Sequence, residues 1–315
     1  MHKHLNSLAV LITVLFSLAV PLAMADSAWL IIDAQKQFQY AQQLFEEGQF
    51  QRAAEEYDRF LFFFPEAPNR ETALFKAGEA LLRAGDSMAA LQRFGTLIQS
   101  GVQTPLLEDA YFMAAESYLM LSNPDQAVSI LNTLIGRTER TTVKDRAHVR
   151  IAWIHIEQMD WTKAKDILAR VSPAGSRDLQ VEALESELDR ADHLPEKNPK
   201  LAGALSIFPG AGQMYTGRYQ DGLAALVVNG GLFWAAYESF DNDLNALGGL
   251  ISIVGLGFYT ANIYGAVSSA HKYNQAQKQG FVEQLRQHLV IGAGPLQSAG
   301  RSSSDAFSIQ WHGAF

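Results

Sequence analysis

Small apolar residues recur along the first half of this chain at one fixed interval. Ala53, Ala90, Ala127 and Ala164 stand 37 residues apart. The same register carries larger apolar side chains downstream: Tyr57, Phe94, Leu131 and Leu168, then Phe60, Leu97, Leu134 and Val171. Upstream it carries Ala41, Gly78, Ala115 and Ala152, preceded by Phe38, Phe75, Phe112 and Val149. Spacings of three and four mark one face of an α-helix, and a fixed period over four copies marks a repeat architecture. Each copy predicts two helices joined by a tight turn, at Gly48-Gln49, Gly85-Asp86, Ser122-Asn123-Pro124 and Met159-Asp160. A glycine there suits the left-handed residue that ends a helix. The small columns predict close approach of helix backbones. One helix pair cannot bury both of its faces, so the pairs predict a right-handed stack.

Beyond the repeats the pattern changes twice. Arg177 to Leu194 places Val181, Leu184 and Leu188 on one face of an otherwise charged helix, as a helix that caps a stack requires. Pro195 ends it, and Glu196 to Lys200 reads as a linker. From Leu201 onward charge becomes sparse and long runs carry none. Leu201–Gly217 and Gly222–Tyr237 have none, and Leu244–Ala270 has none over 27 residues. A bilayer needs about 20 apolar residues of helix. The third run exceeds this, and the second reaches it with its flanks, from Arg218 to Phe240. The first is broken by Pro209-Gly210-Ala211-Gly212 and reads as an interfacial or re-entrant element leading into a two-helix hairpin. Gly257, Ala261 and Gly265 put small residues on one stripe, which favours close helix packing in lipid. Tyr259, Tyr264, Trp234 and Tyr237 supply aromatic anchors, and Asn229 and Asn262 are polar groups expected to bond to a partner helix or to backbone. Tyr273–Val290 predicts an amphipathic helix, followed by a Gly- and Ser-rich loop and a short alternating edge strand.

The N-terminus has its own signature. A weakly basic start, His2-Lys3-His4, precedes the apolar run Leu8–Val20, then Pro21 and the small-x-small triplet Ala23-Met24-Ala25. This is the layout of a secretory signal cut before Asp26. The expected divisions are a signal peptide over 1–25, four repeats over 26–176, a capping helix and linker over 177–200, a membrane hairpin over 201–272 and a tail over 273–315. Two crossings return the tail to the side of the repeats. The turn between them, Asp241-Asn242-Asp243, is then acidic, while Lys197, Lys200, His271 and Lys272 flank the outer end. The positive-inside tendency prefers the reverse, and a third crossing by Leu201–Gly217 would satisfy it. That run is short and broken, so two crossings are expected.

Composition narrows the function. Charged residues make up 18% of the chain, below the roughly 25% of soluble domains, and the deficit is concentrated in the charge-free runs. From Asp26 to Lys197, 27 acidic and 18 basic residues leave a net charge of −9, which argues against a nucleic-acid surface. The absence of cysteine excludes disulfides, cysteine zinc sites, thiol catalysis and a lipid anchor on an N-terminal cysteine. His148 and His155 share a helix face but lie two turns apart, too far to share a metal ion unaided. Adjacent carboxylates such as Glu46-Glu47 and Glu55-Glu56 do not face each other on a helix, and no serine sits in a nucleophile elbow. The glycines at 210–217 lack the preceding strand and the following Lys-Ser/Thr of a nucleotide loop. No enzyme, cofactor or metal is expected.

The first copy, Ala41-x-x-Leu44-x-x-x-Gly48-x-Phe50-x-x-Ala53-x-x-x-Tyr57-x-x-Phe60-x-x-x-x-Pro65, resembles the tetratricopeptide family. The second and third copies are fair matches. The fourth departs, with Met159 in place of the turn glycine and Trp161 in the aromatic place of Phe50. The 37-residue period and the phrase Phe60-x-x-x-Phe64-Pro65 are similar to the repeats of bacterial envelope proteins, the Tol-Pal coordinator and the β-barrel-assembly lipoprotein among them. Pro209-Gly210-x-Gly212-Gln213-x-Tyr215-x-Gly217, followed by Gly222, resembles the turn of the small two-transmembrane-helix domain family, which implies anchoring or assembly. The fold class expected is all-α, a tetratricopeptide-type helical solenoid followed by a transmembrane helical hairpin.

In the repeat family the first helix of each pair lines the groove. The resemblance thereby implies Gln42, Glu79, Glu116 and Trp153 as candidate partner contacts. The column Phe38, Phe75 and Phe112 fits either a stripe gripping a peptide or the packing of the solenoid itself. The expected function is a membrane-anchored periplasmic scaffold or adaptor in the inner membrane. It would bind protein partners of the envelope through its repeat groove, in envelope protein assembly or cell-wall coordination, with membrane lipid around the hairpin, self-association through the hairpin and no nucleic acid. The alternative is an accessory or sensor subunit of a membrane transport or channel complex.

Overall fold

The computed structural model describes residues 33–101 and 105–292. The secretory segment expected over 1–25 and the edge strand expected at the C-terminus lie outside the described residues. Every regular element among them is helical, and the chain divides after Ala84 into two compact units.

The first unit holds α1 (Ala34–Glu46), α2 (Phe50–Phe63) and α3 (Arg70–Arg83). Asp33 caps α1 by accepting from the Gln35 N–H at 2.8 Å, which satisfies one of the free donors at a helix start. The small and large columns meet as the period requires: Ala41 and Leu44 of α1 and Ala53, Tyr57 and Phe60 of α2 are all buried. Phe38 sits edge-on to Tyr57 and Phe60, with ring centroids 5.6 and 5.5 Å away, a geometry that aromatic pairs favour. Burial, reinforced by the carboxylates of Glu79 and Glu46, pushes the Tyr57 hydroxyl well above the ordinary tyrosine range.

The second unit continues with α4 (Ser87–Ser100), α5 (Pro105–Met120), α6 (Pro124–Arg137), α7 (Thr141–Glu157) and α8 (Trp161–Leu168). Leu131, Leu134, Ala115, Ile151 and Tyr111 form one continuous core between the third and fourth copies. Ion pairs outside the periodic columns reinforce that junction. Arg150 grips Glu116 with two hydrogen bonds of 2.6 and 2.7 Å, and Arg140 pairs with Glu108. Asp145, 4% exposed, accepts from the N–H and the hydroxyl of Ser172 at 2.8 and 2.6 Å. This holds the start of α9 (Pro173–Asp178) against α7. The helix expected from Arg177 instead breaks at Gln180, whose φ of 55° is left-handed. It restarts as α10 (Val181–Ala191).

The turn inside each copy keeps the period to the residue. Gly48, Gly85, Ser122 and Met159 all adopt positive φ, at 75°, 88°, 55° and 61°. The residue after each is the N-cap of the next helix. Asp86, Asn123 and Asp160 accept backbone N–H groups three residues on, at 3.0, 3.5 and 3.1 Å. The fourth copy therefore keeps the left-handed turn without a glycine. A side chain in that conformation costs about 1–2 kcal/mol. An added Cβ on Gly85 meets nothing within 4 Å, so Gly85→Ala should cost about 1 kcal/mol from backbone strain alone. Denaturant unfolding should show a lower midpoint with an unchanged slope, and an unchanged midpoint would refute the assignment.

The charge-free region begins with two short helices, α11 (Pro199–Leu205) and α12 (Ala211–Tyr215). At seven and five residues neither approaches the length of a crossing. Two further helices follow, α13 (Tyr219–Asp241) and α14 (Asn245–Gly292), and both are long and apolar enough to cross a membrane. Their apolar side chains mostly face outward: Val227, Trp234, Ile253, Leu256 and Tyr264 are 64–73% exposed. The core helix of a soluble protein would bury them. Gly257 and Ala261 also face outward. The contact between the helices uses Gly248, against the Phe240 ring, and Gly255, against Leu232.

Helix α14 does not stop where its apolar run ends at Ala270. It continues unbroken for 48 residues, roughly 72 Å at 1.5 Å per residue. Its later part covers the fourth repeat. Phe281, Val282 and Leu285 join Val181, Leu184 and Leu188 of α10 and Leu168 of α8 in one buried cluster. Trp161 meets Phe281 edge-on at 5.7 Å, and Arg286 pairs with Glu157 at 3.2 Å.

Candidate functional site

The first-helix positions divide by what surrounds them. Gln42 is exposed and held only by Glu46 on its own helix, at 3.0 Å. Glu79 is 5% exposed and bridges Lys76 and Arg83, at 2.8 and 3.1 Å. Lys76 and Arg83 also lie over the Phe45 ring, 5.0 and 5.1 Å from its centroid, so this face of the first unit carries an ordered cationic rim around an aromatic residue. Glu116 is half-buried and tied to Arg150. Burial opposes the charge of Arg150, but the Glu116 carboxylate outweighs it and holds the guanidinium pKa above its usual value. Trp153 is half-buried against the cluster shared with α14.

The aromatic column lies deeper. Phe75 is buried, Phe38 packs on Tyr57 and Phe60, and Phe112 is half-buried under the Arg146 guanidinium, 4.8 Å from its ring centroid. Gln42 thus offers an exposed amide bonded only within its own helix among the described residues, whereas Glu79 and Glu116 present charges already engaged. Any partner reaching them must compete with or bridge those cations. The Glu116–Arg150 pair escapes a reading based on period because its spacing of 34 is not the repeat length. Among the described residues no cluster of three or more His, Cys, Asp or Glu is placed to hold a metal.

His148 lies on α7, the helix that carries Arg150 and Trp153. Its Nδ1 is buried without a partner among the described residues. Burial lowers its pKa, and the nearby Arg170 lowers it further against a smaller opposing pull from Asp145. The folded state therefore prefers the neutral ring. Stability is fully present above the ordinary histidine pKa, near 6.5, and is lost as pH falls from there through the folded value. His148→Gln should flatten the dependence of the denaturation midpoint on pH between about 7.5 and 5.5; an equally steep dependence in the variant would contradict this.

The glycine-rich turn is a second constellation. Asn262 of α14 clamps it: its Oδ1 accepts from the Gly210 N–H at 3.1 Å and its Nδ2 donates to the Ser206 carbonyl at 3.0 Å. Gln213 returns a bond from Nε2 to the Asn262 carbonyl at 2.9 Å. The Asn198 N–H donates to the Tyr215 hydroxyl at 3.1 Å. Gly210 is left-handed, and a Cβ there would sit 2.0 Å from the Gly222 carbonyl oxygen. Pro209 is half-buried, and Gly217, also left-handed, closes the turn. The broken backbone is thereby supplied with partners, which any irregular segment at membrane depth needs. The Gln213 Oε1 and Asn229 Oδ1 atoms are buried without a donor among the described residues.

A tetratricopeptide repeat family model matches residues 72–100 and 109–137. Among solved structures, a tetratricopeptide repeat protein from Parabacteroides merdae is 14% identical, with 80% of this chain and 98% of that chain covered and a TM-score of 0.40. Nearly identical TPR-like repeats attributed to a kinesin light chain of Podosopora anserina are 16% identical, with coverages of 61% and 90% and a TM-score of 0.37. No curated protein matches the chain. The matched segments fall in the second and third copies of the 37-residue unit, which are thus similar to tetratricopeptide repeats.

Proposed function

We propose that this chain is a scaffold anchored in the bacterial inner membrane, its repeats in the periplasm and its hairpin in the bilayer. The observation that carries the reading is α14: one helix holds both the second run long and apolar enough to cross a membrane and the cover of the fourth repeat. An anchor joined this way holds the fourth repeat directly rather than tethering it through a loose linker. Confinement to the membrane raises the effective concentration toward partners held there, as envelope protein assembly or coordination of cell-wall work requires. The secretory layout of residues 1–25 supports the periplasmic side. The partner contacts are assigned to the first-helix positions of each copy, of which Gln42 is exposed, Glu116 and Trp153 are half-buried and Glu79 is buried.

Photo-crosslinking side chains placed in living cells test this. Positions 35, 42 and 153 should each give one discrete adduct with a second protein, whereas Glu55 and Asn132, exposed on second helices, should give none. Equal labelling on both sets of positions would sink the assignment. One observation favours the alternative, a transport or channel accessory subunit: the two buried amide oxygens of Gln213 and Asn229. Ion flux in vesicles that depends on Asn229 would support it.

A further inference from the structure

We infer that the cleft between the 196–200 linker and α14 is a binding site for the phosphate headgroup of an anionic phospholipid, an inference that rests on the membrane reading above. The cleft encloses about 640 Å³ and is lined by Lys197, Lys200, His271, Asn274, Pro199 and Val267, with Glu196 at its edge. It lies where the charge-free run of α14 ends at Ala270 and His271-Lys272 begins, the level of lipid headgroups for a crossing helix.

Its frame is rigid. The Lys197 N–H donates to Asn274 Oδ1 at 2.7 Å, and Asn274 Nδ2 donates back to the Lys197 carbonyl at 2.9 Å. The Lys197 ammonium stands over the rings of Tyr215 and Tyr273, 4.7 and 5.7 Å from their centroids. Among the described residues Lys197, Lys200, His271 and Lys272 pair with no carboxylate. Glu196, the acidic group present, is neutralised by Lys278 at 3.3 Å. Arg218 at the same end is bonded to Ser269 at 2.9 Å and already paired with Asp221, while the opposite end of the hairpin carries Glu238, Asp241 and Asp243.

Positive charge on the side of the repeats is what the positive-inside tendency disfavours for an exported domain, and phosphate recognition gives that charge a use. Ammonium groups and the imidazole N–H meet the phosphate oxygens, and Val267 and Pro199 meet the glycerol and the upper acyl chain. Juxtamembrane basic groups draw anionic lipid in the same way.

The test uses the full chain in nanodiscs of phosphatidylcholine with a minor fraction of phosphatidylglycerol, released into neutral detergent for native mass spectrometry. One phosphatidylglycerol should remain per chain in preference to phosphatidylcholine. Lys200→Gln with His271→Gln, both exposed positions, should weaken that retention roughly tenfold without changing incorporation. Free glycerol phosphate at millimolar concentration should not displace the lipid. Displacement by glycerol phosphate assigns a soluble anion and overturns the lipid, and so does equal retention of both lipids or retention unchanged in the variant. A chain that never enters the nanodisc overturns the membrane reading itself, a result distinct from incorporation without preference.

Discussion

Truncating Phe281 or Leu285 to alanine should each destabilise the second unit by about 2–5 kcal/mol, the range for emptying a well-packed aromatic or leucine site. Both side chains are at most 6% exposed and are shared between α14 and the end of the repeats. Removing either leaves a cavity facing Leu184 and Leu188, and in Phe281→Ala it also strips the edge contact from Trp161. Thermal unfolding of the full chain in detergent, followed by tryptophan fluorescence, should fall by several degrees or more. Gln284→Ala, exposed on the same turn of helix, should stay within about 0.5 kcal/mol of the parent. Should all three variants unfold together with the parent, the end of α14 does not cover the repeats.

Asn262→Leu carries the other large effect. It removes the acceptor for the Gly210 N–H and the donor for the Ser206 carbonyl in a site buried on every side. Each orphaned backbone group costs about 1–3 kcal/mol, with no water nearby to compensate if the site lies in lipid. The segment from Ser206 to Tyr215 should then leave α14, and the loosened backbone should make the already exposed Arg218 a faster cleavage site for trypsin in the detergent-solubilised protein. Gly212→Ala attacks the same contact sterically. Its Cβ would lie 2.1 Å from the Ser206 hydroxyl oxygen and 2.2 Å from the Ala202 carbonyl oxygen, and a main-chain carbonyl cannot swing aside. Trypsin patterns identical to the parent in both variants would show that the turn is not held this way.

Much of this was legible in the sequence for a physical reason. The columns at Ala53, Tyr57 and Phe60 and their copies are buried, except Val171, which lies past the end of its helix and is half-buried, because a period of 37 returns the same helix face in each copy. The left-handed turn was legible at Gly48 and Gly85 through glycine but hidden at Met159, where only the period reveals it. The break at Gln180 left no trace, because no glycine or proline marks it. Tyr273–Val290 showed an amphipathic helix, yet periodicity identifies a face and not what covers it. That α14 carries this face unbroken from the apolar run, and lays Phe281 on Leu184 and Leu188 nearly a hundred positions earlier, comes only from tertiary packing. Among candidate partner contacts, the sequence located the first-helix positions but not their engagement. Arg150 meets Glu116 at a spacing that the period does not contain, and Lys76 and Arg83 reach Glu79 along its own helix.

One helix, α14, joins the long apolar run to the cover of the fourth repeat. Because the chain has no native cysteine, Glu157→Cys with Arg286→Cys introduces the only thiol pair. A short bismaleimide can then be applied to native membranes, with a protease site inserted after Pro195 to cut the chain between the two positions. The account predicts that the fragments stay joined after cleavage and denaturation, and separate when only one cysteine is present. Fragments that part in the doubly substituted protein, while it remains embedded in the membrane and both thiols are labelled, would contradict it.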